Sequence, residues 1–372
     1  MHARPEPRRG PARRGPWIVA AVGLVAVLTA GLLLAGRDGP ARPAPTAAPV
    51  PERAAASAPR PTPSPPAALI TLAFAGDVHF AGRIRSRLDD PATAFGQAAA
   101  ALRAADLTMV NLETAITERG AEEPKTFTFR APASAFTALR AAGVDVATMA
   151  NNHAADFGPA GLADTLAATA RFPVVGIGPT AAVAYAPHYA TVRGHRVALL
   201  AASQIRDRTL SAWSATDTGP GIASAYDDRL VAAVRAARGR AEVVVVYLHW
   251  GVEGQGCPSG EQRTLAARLA GAGADAVVGT HAHQLQGAGY LGRTFVAYGL
   301  GNYLWWRNAA FSDDTGVLRL TLRGRQVVRS ALAPARIDER GVPVPATGGT
   351  AERIARKWAG LAGCTGLTAE PT

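Results

Sequence analysis

The chain has 372 residues, 48% of them hydrophobic, enough to bury the core of one large or two ordinary domains. Of its formal charge of +11, nine arginines and three acids in the first 60 residues supply +6, which leaves only +5 on the body. Arginine outnumbers lysine 37 to 2, yet no basic strip is interleaved with aromatics, so the composition argues against a nucleic-acid partner.

Residues 1–16, MHARPEPRRGPARRGP, carry five arginines and one glutamate and precede WIVAAVGLVAVLTAGLLLAG. From Trp17 to Ala35 no charge occurs. As a helix this stretch is about 28 Å long, sufficient for a bilayer core. We therefore expect 1–16 to be a basic cytoplasmic tail and 17–36 a single-pass transmembrane anchor, with the body outside the cytoplasm at the cell membrane. A cleaved signal peptide is the alternative, disfavoured by the length of the apolar run and by the lack of a clear A-x-A site. Residues 37–66, including APTAAPVP and PRPTPSPPAA, are a Pro/Ala-rich linker of extended character. The domain proper is expected over 67–340, with 341–372 as a C-terminal tail. In an oxidising compartment we expect Cys257 and Cys364 to form a disulfide that ties the C-terminal tail to the loop after His249. Two free thiols, or Cys257 as a soft metal ligand, are the other readings.

Along the body, LITLAFAG (69–76) reads as a strand, DPATAFGQAAAALRAA (90–105) as a helix and LTMVNLE (107–113) as a strand. ASAFTALRAAG is a helix ended by Gly143, followed by the strand VDVATMA and the loop NNHAADFG. Pro159 suits the first turn of the helix PAGLADTLAATARF, which leads to the strand PVVGIG. Strands follow at RVALLAAS and EVVVVYLHW, then a helix over SGEQRTLAARLAGAG and the strand DAVVGTH. The last third reads as β ribbons at TFVAYGLGNYLWW, GVLRLTLRG and RQVVRSALAPARI. Near-continuous apolar strands alternating with helices predict an α/β fold whose sheet is buried on both faces.

Polar residues gather at the carboxyl ends of these strands, where open α/β sheets bind ligands. Asp77 and His79 follow LAFAG, Asn111 and Glu113 follow TMV, and Asn152 and His153 follow VATMA. His249 follows VVVVYL, and His281 and His283 follow AVVGT. Two carboxylates, an amide oxygen and four or five imidazoles exceed the needs of one ion. They suit two divalent ions bridged by a carboxylate, and nitrogen and oxygen donors without thiolate fit Mn, Fe or Zn. Each residue also has a plainer reading: Asp77 as a turn cap, Glu113 as a surface acid, Asn152 in a left-handed turn and His249 as a packed core histidine. Trp250, Trp305 and Trp306 read as wall or core before substrate platform, and Glu253 and Glu261 as solvated.

The ordered set GDVHF, NLE, NNHAADFG, LHWGVE, GTHAH and YGLGN, over about residues 70–310, resembles the CapA family of poly-γ-glutamate capsule synthesis proteins. That family is similar to the calcineurin-like metallophosphatases, so the resemblance implies a four-layer α/β/β/α sandwich. It implies Asp77, His79 and His283 on one metal, and Asn152, His249 and His281 on a second. Glu113 would bridge them where those enzymes carry aspartate. His153 would be proton donor or transition-state stabiliser, and Asp156 its partner carboxylate, three residues after the histidine where the superfamily's GNHD has it directly following. Asn111, Asn151, Trp250 and Asn302 are expected to line the substrate site.

The expected function is hydrolysis or transfer at a phosphoryl or acyl centre in capsule or poly-γ-glutamate biosynthesis or export. The partners would be a polyanionic envelope polymer and membrane synthase proteins. A non-catalytic polyanion-binding export or attachment factor, and an envelope phosphodiesterase or phosphatase, are the alternatives.

Overall fold

In Leu69–Val78 (β1) the side chains alternate cleanly, Ile70, Leu72 and Phe74 on one face and Ala73 and Ala75 on the other, and all five are buried. Such a strand needs an apolar layer on each side, and the computed structural model, which describes residues 68–372, supplies both. The expected cytoplasmic tail 1–16, anchor 17–36 and linker 37–66 lie outside the described residues. Among the described residues no helix is long and apolar enough to cross a membrane.

β1 lies near the centre of an eight-stranded sheet. Leu107–Leu112 (β2), Val146–Thr148 (β3) and Val174–Val175 (β4) extend it in parallel on one side. A second sheet of six strands has a parallel centre of His195–Ser203 (β5), Val243–Trp250 (β6) and Ala276–His281 (β7). Between the sheets pack Leu72, Phe74 and Met109 from the first, and Val197, Leu199, Val245, Tyr247 and Val278 from the second. The Tyr247 hydroxyl crosses this layer to donate to the carbonyl of Ala75 at 2.5 Å.

The outer face of the first sheet is covered by Phe136 and Leu139 of Ser134–Ala142 (α1) and by Leu162 of Gly158–Ala168 (α2). The outer face of the second is covered by Leu230 and Val234 of Asp228–Arg238 (α3) and by Leu265 and Leu269 of Gly260–Ala272 (α4). The layers therefore run α/β/β/α. Each fully buried Leu or Val stabilises by about 1.5–3 kcal/mol relative to exposure, so the three apolar layers dominate stability. A capping box at Ser259 and Gln262 starts α4, and Gly143, at φ 87°, ends α1.

Several local expectations are corrected. Residues 90–105 are not one helix: Gly96 turns left-handed at φ 51°, and only Ala99–Leu102 is α-helical, after two short 3-10 turns. Helix α3, capped by Asp227, was not among the expected elements. The ribbon expected at TFVAYGLGNYLWW is divided between the sheets. Thr294–Ala297 belongs to the second, whereas Asn302–Leu304 (β8) pairs parallel with β1 in the first. Asp314–Arg323 (β9) and Gln326–Ile337 (β10) form the long antiparallel hairpin beside β1. The chain then continues into Gly348–Leu361 (α5), and Cys364 just beyond it is joined to Cys257 as a disulfide.

Candidate metal centre

The crossover 299–301 draws the two sheets together at the carboxyl ends of β1 and β7. Leu300 N donates to the carbonyl of Gly279 at 2.8 Å, and Asp77 N to the carbonyl of Gly301 at 2.9 Å. The approach is so close that a Cβ on Gly76 would sit 1.9 Å from the Gly301 oxygen, so glycine is required there. A direct link across the seam follows, because His281 N donates to Asp77 Oδ2 at 3.2 Å.

Around that seam the ligand atoms of Asp77, Glu113 and His283 lie within 4.8 Å of one another, as do those of Glu113, His249 and His281. Glu113 belongs to both groups. His249 Nε2 is 3.0 Å from His281 Nδ1, 2.7 Å from Asn152 Oδ1 and 3.3 Å from Glu113 Oε1. His281 and His283 both hold positive φ, at 89° and 55°. Backbone of that kind costs of order 1–3 kcal/mol in a residue with a side chain, and such strain concentrates at functional sites.

Whether these residues fit a metal is decided by Glu113. Its carboxylate is fully buried, and neither oxygen receives a hydrogen bond. An unpaired buried carboxylate is costly unless a cation neutralises it, and here it faces the imidazole nitrogens of His249 and His153. Burial, then the charges of the neighbouring histidines, holds His281 well below the usual histidine range, which keeps its imidazole neutral. At Asp77 burial acts to raise the pKa. The hydrogen bond to His283 and the charges of His249 and His283 outweigh it, so the carboxyl stays below the ordinary value. His283 is pulled down by burial, but Asp77, Glu113 and Glu253 prevail and push it up to about 9. The donors present fit hard or borderline divalent ions of the Mn, Fe or Zn kind.

His153 stands beside this cluster, its Nε2 3.9 Å from Glu113 Oε1 and its Nδ1 2.5 Å from Asp156 Oδ2. Asp156 also accepts from Phe129 N at 2.8 Å and from Lys125 Nζ at 2.7 Å. The Phe129 ring is stacked between two imidazoles, 4.2 Å from His153 and 4.3 Å from His79.

The remaining expected site residues sit elsewhere or do other things. His79 does not join either convergent group: Ala81 N donates to its Nδ1 at 3.0 Å, and Phe129, Trp305 and Trp306 enclose its ring. Burial, reinforced by His153 and His283, keeps its pKa well below the usual range. Asn111 and Asn151 are fully buried and committed to scaffolding. Asn111 Nδ2 donates to Asp77 Oδ1 at 2.8 Å, while Asn151 holds Asn111 Oδ1 at 2.9 Å and takes His153 N at 3.0 Å. Neither has an atom left for a substrate.

Trp250 also fails as a substrate contact. Strand alternation turns it to the helix side of β6, where its indole donates to the carbonyl of Tyr298 at 2.7 Å. Asn302 is buried, with Oδ1 2.8 Å from His283 Nδ1, so it positions a ligand rather than lining the mouth. Lys125 and Phe129, from the segment after NLE, were missed by sequence reasoning. The rarity of lysine, one of two in the chain, was the available signal for the first; none marked the second.

Taken together, the layers and the histidine-carboxylate cluster at their strand ends define an α/β/β/α protein with a candidate metal centre. Residues 71–305 match the model of the bacterial capsule synthesis protein family PGA_cap, and the chain belongs to that family. It is 33% identical over 216 residues to the capsule biosynthesis protein CapA of Bacillus anthracis, covering 56% of this chain and 52% of that protein. The chain thus spans about half the length of that relative. It is 27% identical over 285 residues to the PGA biosynthesis protein CapA of Bacillus subtilis, covering 74% of each. Among solved structures, a phosphatase from Mycoplasma pneumoniae aligns over 72% of this chain and 94% of its own, with a TM-score of 0.46 and 12% identity.

Proposed function

We propose that this protein is a metal-dependent hydrolase or transferase acting on an anionic envelope polymer during capsule biosynthesis or export. The observation that carries the reading is the buried Glu113 carboxylate, without a hydrogen bond and shared between two groups of converging donors. Asp77 and His283 would hold one divalent ion, His249, His281 and the Asn152 amide a second, with Glu113 between. Two such ions supply Lewis-acid polarisation of a phosphoryl or acyl oxygen and lower the pKa of water.

The protein's own residues do the rest. Asp156 fixes the His153 ring through Nδ1, leaving Nε2 directed toward Glu113, so His153 is placed to give a proton to a departing group there. Phe129 stacked on that ring restricts its rotation. Asn111 and Asn302 hold Asp77 and His283 in register, because Asp77 pairs with both asparagines across adjacent strands.

Family membership supports capsule biosynthesis as the setting, and the names of the Bacillus relatives point the same way. The uncharged run from Trp17 to Ala35 supports anchoring at the cell membrane with the domain outside, near an envelope polymer and membrane synthase partners. The test is a screen of the metal-loaded chain on phosphomonoesters, phosphodiesters and γ-glutamyl amides. Turnover of one class, abolished by His153→Ala, is the expected result. No turnover of any class would leave a binding role in export as the reading.

A further inference from the structure

Glu253 lies three residues beyond the end of β6 and, from its place in a polar loop, reads as a solvated side chain. Its side chain is indeed 65% exposed, yet Oε1 is 3.9 Å from His283 Nε2. Its ligand atom also lies within 4.8 Å of those of both His281 and His283. Among the described residues no lysine or arginine comes within 4.0 Å of its carboxylate, so His283 is its one basic neighbour at that distance.

The loop that carries it is held at several points. Gly251 turns the chain at φ 94°, Gly254 N donates to the carbonyl of Ala282 at 3.0 Å, and Gln286 Nε2 donates to the carbonyl of Gln255 at 2.9 Å. Cys257 then ties the same loop to Cys364. The carboxylate is thus kept at the two histidines by fixed backbone, including the hydrogen bond to Ala282 between them.

We infer that Glu253 is a further metal ligand, completing with His281 and His283 a set on the outer side of the centre. This rests on the metal reading given above. Charge balance favours it: two divalent ions bring four positive charges into a site where Asp77 and Glu113 supply only two negative ones. A third carboxylate offsets part of the remainder. Because Asp77 and Glu113 are fully buried while Glu253 meets solvent, it is the carboxylate through which an arriving ion is first captured and the one an anionic substrate can displace. The chemical class recognised is a divalent transition-metal cation.

The experiment is titration of the metal-stripped full chain with Mn(II) and with Zn(II), followed by calorimetry or a competing indicator. It compares the unaltered protein with Glu253→Gln and Glu253→Asp. The unaltered chain should take up about two ions. Glu253→Gln should bind one of them about 10- to 100-fold more weakly, the loss expected when a group supporting a metal site is removed, and Glu253→Asp should recover part of it. Equal affinities in the unaltered and Glu253→Gln chains would overturn the role of Glu253 and leave the metal centre standing. No uptake by the unaltered chain would overturn the metal centre, and this inference with it.

Discussion

His153 Nδ1 and Asp156 Oδ2 are 2.5 Å apart, and Phe129 N and Lys125 Nζ hold the same carboxylate from two other directions. An imidazole oriented in this way suits proton transfer, whereas the convergent donors begin at Glu113, 3.9 Å from its Nε2. His153→Ala should lower turnover about 10²- to 10⁴-fold, the usual weight of a positioned acid or base, and leave metal content unchanged. Asp156→Asn should lower turnover too, with metal again retained. Equal loss of metal in His153→Ala and Asp77→Ala, read by elemental analysis, would move His153 into the ligand set.

In the metal-free chain His283 titrates near 9 in place of the ordinary 6.5. A pKa raised on folding contributes stability that is complete below the unfolded value and is lost as pH rises through the folded one. Urea denaturation of the stripped protein should therefore show stability falling between about pH 6.5 and pH 9. His283→Gln should flatten that slope. At neutral pH metal uptake should also release a proton, because the ion competes with the one on His283.

Gly76→Ala places a methyl 1.9 Å from the Gly301 carbonyl oxygen at the seam between the sheets. Backbone on both sides leaves little room to yield, so the substitution should cost more than the ~1–3 kcal/mol of ordinary overpacking. A melting curve within error of the unaltered chain would show that the seam relaxes.

The Cys257–Cys364 bridge closes a separation of 107 residues. Reduction should cost about 2–5 kcal/mol, visible as a lower melting temperature under reductant. Mass spectrometry without reductant should find no free thiol.

Periodicity made the layers legible: the Val/Leu/Ala strands with intervening helices are those that pack on both faces of the two sheets. The same alternation placed Asp77, Glu113, His249 and His281 at strand ends on one side. What the pattern could not show was the crossing of the chain between sheets at 299–301, since glycine-flanked turns read alike whether a ribbon continues or changes sheet. The substrate residues misled for a related reason. Asn111, Asn151 and Asn302 are polar and close to the ligands, but whether an amide meets solvent or a neighbouring carboxylate depends on strand register. Trp250 follows His249 directly, and in a strand adjacency means opposite faces. His79 has ligand-like spacing from Asp77, yet the aromatic rings that enclose it come from Phe129, Trp305 and Trp306, distant in sequence.

The central claim is that the unpartnered Glu113 carboxylate is a bridging metal ligand. Its direct test is elemental analysis of the purified full chain beside Glu113→Gln, both after reconstitution with Mn(II) or Zn(II). The account predicts about two ions per unaltered chain and a marked loss from the variant. No metal in the unaltered chain, or the same content in Glu113→Gln, would contradict it.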